Sequence, residues 1–307
     1  MSKTADVELQ TTNTEETEID ISVVVPFYNS EKHIESCAHA LLQQSYPSTR
    51  YEIIMVDNNS TDGSVEIIRK YPRINLLSEL KQGSYVARNR GVVESKGSII
   101  VFTDVDCVPS KDWLYKISEP LLLADAGLVQ GGRLYAIDSS ALSMLAAYEG
   151  ERASYTFSGK HSGIYYGYTN NMAVRRELFN RCGPFLEIAR GADSIFVNRI
   201  IEEYSGELIR YVPDASIRHL EIKSVWDYFR KRFIYGRSLQ QNYSRRRGKH
   251  RKLVITEISV ILNRTIHRKR YSLLQSLCLI ILIFMGEFCF GFGRLSVRFK
   301  TLNKERD

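Results

Sequence analysis

Near-continuous apolar runs punctuate the first hundred residues of this 307-residue chain at Ile19–Pro26, Tyr51–Val56 and Ser98–Thr103. Their β-branched content and bounding turn residues predict strands buried on both faces of a sheet. A shorter run at Ile74–Leu77 predicts another strand. Between the runs the period changes. Ile34, Cys37, Ala38, Leu41 and Leu42 recur at helical spacing, so a helix is predicted from Glu31 to Gln44, with Ser30 available to cap it. Helices are also predicted from Gly63 to Lys70 and from Tyr85 to Glu94. Strands alternating with helices predict right-handed βαβ units and a parallel sheet. The loops after the strands then gather Tyr28, Asp57 and Asp104 along one edge, where open α/β sheets hold ligands.

The second half is less regular. Helices are predicted at Trp113–Ala124, Ala141–Ser154, Arg176–Arg181 and Asp193–Tyr204, and strands at Ala126–Leu134, Thr169–Val174 and Leu208–Pro213. Ala215–Leu220 is expected to be extended, and Tyr155–Tyr168 to be a Gly-, Ser- and Tyr-rich loop. The polar residues 1–18 lack the apolar centre of a signal peptide and read as a disordered leader. Near the other end, the 23 residues Tyr271–Gly293 carry one charge, Glu287. That length suffices for a helix to cross a ~30 Å hydrocarbon layer. A re-entrant or buried helix is the alternative. The expected organisation is a leader (1–18), an α/β domain (19–224), an amphipathic interface region (225–270), the apolar helix (271–293) and a basic tail (294–307).

Charge sharpens the picture at one place. The formal net charge is +7, yet ten Lys or Arg and no acid lie between Arg230 and Lys252. The rest of the chain holds 32 basic and 35 acidic residues, so the basicity is local. Trp226, Tyr228, Phe229, Phe233 and Tyr235 interleave with Arg230, Lys231, Arg232 and Arg237. Cations with headgroup-level aromatics suit an anionic membrane surface, and the adjacent apolar helix favours lipid over nucleic acid. Leu253–Ile266 is expected to continue as an amphipathic surface helix. The five cysteines are scattered without a C-x-x-C pair, which argues against zinc or a disulfide scaffold and fits a reducing compartment. No G-x-G-x-x-G follows the first strand, and no Walker A sequence is present.

The candidate chemistry is carboxylate. Asp104 and Asp106 end the run Gly97–Pro109, and their spacing in extended chain turns both to one side. Two close carboxylates repel, and a hard divalent cation, Mg²⁺ or Mn²⁺, relieves the conflict while leaving positions for a nucleotide diphosphate. An acidic loop is the plain alternative. Asp57 can accept from a ribose hydroxyl or a base N–H, or it can simply close an Asx turn. Lys81, Arg88 and Arg90 can face phosphate or solvent.

The series VVVPFYN (23–29), IIMVDNNSTDGS (53–64), KQGSYVARNRG (81–91) and IIVFTDVDCVP (99–109) resembles the inverting nucleotide-sugar glycosyltransferases of family 2 over roughly residues 20–220. The resemblance implies a GT-A fold, a Rossmann-like α/β architecture with a mostly parallel sheet flanked by helices. It implies that Pro26, Tyr28, Asn29, Asp57, Gly83, Arg88 and Asp104 bind the donor, and that Asp104 and Asp106 hold the metal. His219 corresponds to a histidine that completes the metal site in some members. Asn170 and Asn171 correspond to the acceptor side. A later acidic pair supplies the catalytic base. Here that pair is Ala192–Asp193, so Asp193 is the candidate and Ala192 is a departure. The helix N-terminus is expected to keep Asp193 ionised.

The sequence therefore points to a metal-dependent hexosyltransferase at a membrane. A UDP- or GDP-sugar is the expected donor, and a lipid-linked or growing glycan the acceptor. Membrane lipids are expected partners, and the catalytic domain is expected on the cytoplasmic side. Two rivals stand: an aspartate-nucleophile phosphatase using the same D-x-D, and a non-catalytic nucleotide-sugar-binding membrane adaptor.

Overall fold

The computed structural model describes residues 19–135, 139–158, 165–241 and 255–304. The expected leader, the middle of the Tyr155–Tyr168 loop, most of the basic run after Gln241 and the last three residues of the tail lie outside them.

The first strand, β1 (Ile21–Phe27), is buried along its whole length and forms the centre of the sheet's first half. It pairs in parallel with β2 (Tyr51–Asp57) on one side and β4 (Ile99–Thr103) on the other, and β2 pairs in parallel with β3 (Ile74–Ser78). Strand alternation splits the core. Ile21, Val23, Val25 and Phe27 face one cluster with helices α1 (Ile34–Leu42) and α4 (Trp113–Leu122), whereas Val24 joins α3 (Ser84–Glu94) in a second. The short α2 (Ser64–Ile68) follows the second loop.

Beyond β4 the sheet is mixed. Strand β7 (Asn171–Arg175) runs antiparallel to β4 and to β6 (Leu128–Tyr135). Strand β8 (Ile209–His219) runs parallel to β6 and antiparallel to the three-residue β5 (Cys107–Pro109). The order is β3-β2-β1-β4-β7-β6-β8-β5. Among the described residues the sheet is mostly parallel as expected, by four pairings to three, with the antiparallel pairings all in the second half. Apolar period identifies a strand but carries no information on its direction, which long-range pairing decides.

The separate strand and extended segment expected at 208–220 form one continuous β8. The β6 register shifts between Gly131 and Gly132, where a side chain at either position would collide with the Ala215 or Pro213 carbonyl.

The second cluster is aromatic. Phe102, Phe179, Phe185 and Phe196 lie with ring centroids 5.0–6.0 Å apart and clamp α6 (Arg176–Cys182) and α7 (Ala192–Glu203) against β4. A third cluster joins α5 (Ser140–Thr156), α8 (Val225–Gln241), α9 (Ile255–Lys269) and α10 (Leu273–Lys304). Tyr228 and Phe229 are buried there, contrary to their expected place at headgroup level, while Trp226 and Tyr235 are exposed. A helix must bury one side to pack, and these two rings supply it for α8. The α8 and α10 backbones meet at Gly236 and Gly293, where a Cβ would strike the Phe290 and Phe233 carbonyls. Glu287 stays exposed and pairs with the buried Arg232.

Candidate active site

Parallel pairing places Phe27 beside Asp57, so the loops after β1 and β2 leave the sheet side by side. Pro26 is buried within β1, one residue before the strand ends. It shapes the strand and does not line the loop as expected. Tyr28 is half exposed at the loop tip. Asn29 adopts a left-handed φ of 46° and ties the two loops together: its N–H donates to Ser60 Oγ (3.0 Å), and its Oδ1 accepts from the Thr61 N–H (2.8 Å). Asp57 is buried and its Oδ1 accepts from the Ser60 N–H (3.0 Å). The Asx turn foreseen as the plain alternative is therefore present, and it holds the carboxylate at the strand end.

Asn58 is the organiser that sequence reading missed. Its amide donates to the Glu79 and Lys81 carbonyls (both 2.8 Å), and its Oδ1 accepts from the Gly83 N–H (2.7 Å). Gly83 sits at φ 146°, a conformation side chains resist, and α3 begins at the next residue. This fixes Arg88 one turn into α3. Of the three cations considered, only Arg88 enters the site: Lys81 pairs with Glu187, and Arg90 with Glu94. Arg88 is buried, donates to the Ser84 carbonyl (3.1 Å) and forms an ion pair with Asp104 Oδ1. Its guanidinium also lies 5.4 Å from the centre of the Tyr85 ring. Arg88 thus occupies the position of a counter-charge to Asp104.

Asp106 meets a different partner. β5 pairs with β8 so that Cys107 is opposite His219, and Asp106 Oδ2 comes within 3.4 Å of His219 Nδ1. That nitrogen is buried and has no hydrogen-bond partner. Burial, with Asp104 and Glu221 nearby, pushes the Asp106 carboxyl up to about 7, and the Lys231 ammonium only partly offsets this. Burial, with Lys231, Arg133 and His33 nearby, pushes the His219 imidazole down to about 3. The Lys231 ammonium lies 3.1 Å from His219 Nε2, so the neutral ring carries its proton on Nδ1, towards Asp106. With Lys231 displaced and that proton moved to Nε2, the Nδ1 nitrogen and the crowded carboxylate form the donor set a divalent cation needs. The Cys107 sulfur also lies in this cluster. Burial beside two carboxylates pushes its thiol well up, so it stays protonated and leaves a hard cation to oxygen and nitrogen.

The third acid reaches the same edge from α7. Gly191, at φ 88°, starts the helix, and Asp193 stands in its first turn. Its Oδ1 accepts from the Ser194 N–H (2.7 Å), while Tyr85 and the Thr169 backbone also bond to the carboxylate. Burial outweighs these bonds and the Arg88 charge, and it raises the carboxyl above the usual range. The helix N-terminus was expected to keep Asp193 ionised, and burial works against it, favouring the protonated form. Ala192 is buried in the aromatic core cluster, where an acid would be enclosed by phenylalanines.

Asn171 is not on an acceptor surface. It is fully buried: its Oδ1 accepts from the Trp113 indole (2.8 Å), and its Nδ2 donates to the Gly132 and Ala215 carbonyls (2.7 and 2.8 Å). It rivets α4, β6 and β8 together. Asn171→Ala leaves three buried groups unsatisfied at about 1–3 kcal/mol each, so urea denaturation is expected to show at least about 3 kcal/mol of lost stability. Asn170 differs, since its Oδ1 is buried with no partner.

The chain is similar to several known proteins. Residues 22–183 match the profile of glycosyl transferase family 2. The glycosyltransferase AglE of Haloferax volcanii is 33% identical over 173 residues, covering 54% of this chain and 55% of that protein. TuaG of Bacillus subtilis, a teichuronic acid biosynthesis glycosyltransferase, is 37% identical over 101 residues, covering 31% of this chain and 39% of that protein. The chain thus spans about half or less of the length of these curated relatives. Among solved structures, the mannosyltransferase PcManGT of Pyrobaculum calidifontis, in complex with GDP-Man and Mn²⁺, superposes with a TM-score of 0.63 at 20% identity, covering 91% of this chain and 87% of that one.

Proposed function

The chain belongs to glycosyl transferase family 2, and we propose that it moves a sugar from a nucleoside diphosphate donor to an acceptor hydroxyl at a membrane surface. The convergence of Asp104, the Asp106–His219 pair and Asp193 on one sheet edge carries this reading. Asp57 and Tyr28 flank the place where a nucleoside would lie. Asp104, Asp106 and His219 would hold a divalent cation, which when bound would offset charge on the departing diphosphate. Arg88, released from Asp104, then offers its guanidinium to a phosphate oxygen. Asp193 takes the acceptor proton as the hydroxyl oxygen attacks the anomeric carbon opposite the leaving group. Burial raises its pKa, which makes the carboxylate a stronger base. The relatives support this scheme, since PcManGT is described with GDP-Man and Mn²⁺. A relative from Methanococcus voltae is named for a dolichyl sugar phosphate acceptor. The aspartate-nucleophile reading lapses with the family.

Membrane attachment falls to α10. Its stretch Leu273–Val297 is long and apolar enough to cross a membrane by length and composition. Leu273, Leu274, Leu277, Ile281, Phe284, Phe288 and Phe292 are exposed, while the opposite side packs on α8 and α5. That open face is the lipid contact we propose.

The test is a melting experiment on the full chain in micelles. GDP-sugars or UDP-sugars at 100 Kd should stabilise the fold by about 2.7 kcal/mol, provided Mn²⁺ is present, and should have little effect in chelator. Absence of any nucleotide shift with Mn²⁺ refutes the donor reading. A shift without sugar transfer to any membrane extract selects the non-catalytic adaptor.

A further inference from the structure

Arg133, near the end of β6, has no ion-pair partner among the described residues. Its guanidinium lies 4.0 Å from the centre of the Tyr168 ring and makes no hydrogen bond or ion pair among the described residues. The acid closest at hand is already committed. Glu149 accepts from Arg152 (3.3 Å) and from the Tyr228 hydroxyl (2.9 Å). Arg232 pairs with Glu287. Beside Arg133, the Tyr166 hydroxyl is buried and has no hydrogen-bond partner among the described residues, and its ring stands 6.1 Å from that of Tyr168. A partly enclosed charge and a buried hydroxyl left unpaired are costly unless a ligand completes them.

Their placement says which ligand. β6 pairs with β8 so that Arg133 is opposite Ile217 and Tyr135 opposite His219, which puts Arg133 on the strand next to the candidate metal residues. Tyr168, whose ring underlies Arg133, is followed by Thr169, whose backbone bonds to Asp193. Arg133 and the candidate base thus flank one dipeptide. The other neighbours of Arg133 are α5 and, through Tyr228, α8, which packs on the apolar α10. The cation stands between the catalytic edge and the membrane-facing helices.

We infer that Arg133 and Tyr166 receive a phosphate group carried by the acceptor, so that the acceptor of this transferase is a phosphate ester. This rests on the transferase reading above. Arg133 forks onto two phosphate oxygens, Tyr166 donates to a third, and Tyr168 backs the guanidinium. The acceptor hydroxyl then projects past Thr169 towards Asp193.

The test uses the full chain in micelles with Mn²⁺ and nucleoside diphosphate present. The probes are citronellyl phosphate (a short prenyl phosphate), glycerol 3-phosphate and uncharged citronellol, with affinities measured by calorimetry. Both phosphates are expected to bind and citronellol is not. Arg133→Gln should weaken the phosphates at least about tenfold, Arg133→Lys less, and Tyr166→Phe about threefold, with nucleotide affinity unchanged. Tighter binding of the prenyl probe assigns the phosphate to a lipid carrier, and equal binding assigns it to a polyol-phosphate glycan. Either result supports the inference. Failure of both phosphates to bind, or phosphate binding indifferent to Arg133, overturns it while leaving the donor reading intact. An equal loss of nucleotide affinity in Arg133→Gln also overturns it, by placing Arg133 on the donor. Loss of nucleotide binding by the wild-type chain would instead strike the transferase reading itself.

Discussion

Asp106→Asn is expected to abolish measurable sugar transfer and, in chelator at alkaline pH, to make the protein more stable. Both outcomes follow from the same crowding. In the folded chain the Asp106 carboxyl titrates at about 7, against an ordinary 3.8, because it is buried beside Asp104 and Glu221. A carboxylate with a raised folded pKa contributes stability that is complete below its unfolded pKa and is lost as pH rises through the folded value. For Asp106 that window runs from about 4 to about 7. Above it the wild-type chain carries an unwelcome charge that asparagine lacks, so at pH 8 in chelator the variant should melt at the higher temperature. Added Mn²⁺ should reverse the order, raising the wild-type melting temperature and leaving the variant's unchanged. Charge stabilisation worth several kcal/mol in the transition state corresponds to a loss of transfer on the order of 10³-fold. A variant that transfers sugar at the wild-type rate, or that gains as much from Mn²⁺ as wild type, would remove Asp106 from the metal site. His219→Ala separates metal affinity from the acid–acid conflict, since it removes the orphaned nitrogen and leaves both carboxylates.

The parts of this site that were legible in the sequence are those carried on strand ends. Asp57, Asp104 and Asp106 each close an apolar run, and a parallel sheet brings such ends together whatever the details of packing. Asp193 was named only through the family resemblance, which expects an acid where a helix opens after a glycine. What local pattern did not carry was contacts distant in sequence, and His219 was named only through the family resemblance. His219 meets Asp106 only because β5, three residues long, pairs with a strand more than a hundred residues later. No local period announces so short a strand. Asn171 read as a polar residue available for sugar because its three partners, Trp113, Gly132 and Ala215, come from three other segments. Arg133 carried no signal: an arginine near a strand end is unremarkable until its neighbours prove to hold no free acid. Asn58 lay inside a quoted motif, yet its work of fixing the loop before α3 shows only once Gly83 is seen at φ 146°. In the C-terminal helices, the aromatic and basic spacing named an interface without distinguishing rings that face lipid from rings that fill a core.

Asp193→Asn carries the second large effect and bears on chemistry alone. The side chain is nearly isosteric, and its oxygen can still accept from the Ser194 N–H. The group does not touch the residues assigned to the nucleoside, so donor and Mn²⁺ affinities should match wild type. Loss of a positioned base is worth about 10²–10⁴-fold in kcat. Because burial raises the Asp193 carboxyl, wild-type activity should fall off on the acid side at a pH above the ordinary carboxylate range, as the base is protonated. The variant should lose that acid limb along with the rate. Stability gives an independent check of sign. A raised carboxylate pKa means its favourable contribution to folding is lost as pH rises through the folded value, so above that value the amide should melt no lower than wild type. Unchanged kcat in Asp193→Asn would dismiss the base. A reduced kcat that keeps the wild-type acid limb would assign that limb to another group and leave Asp193 only a structural part.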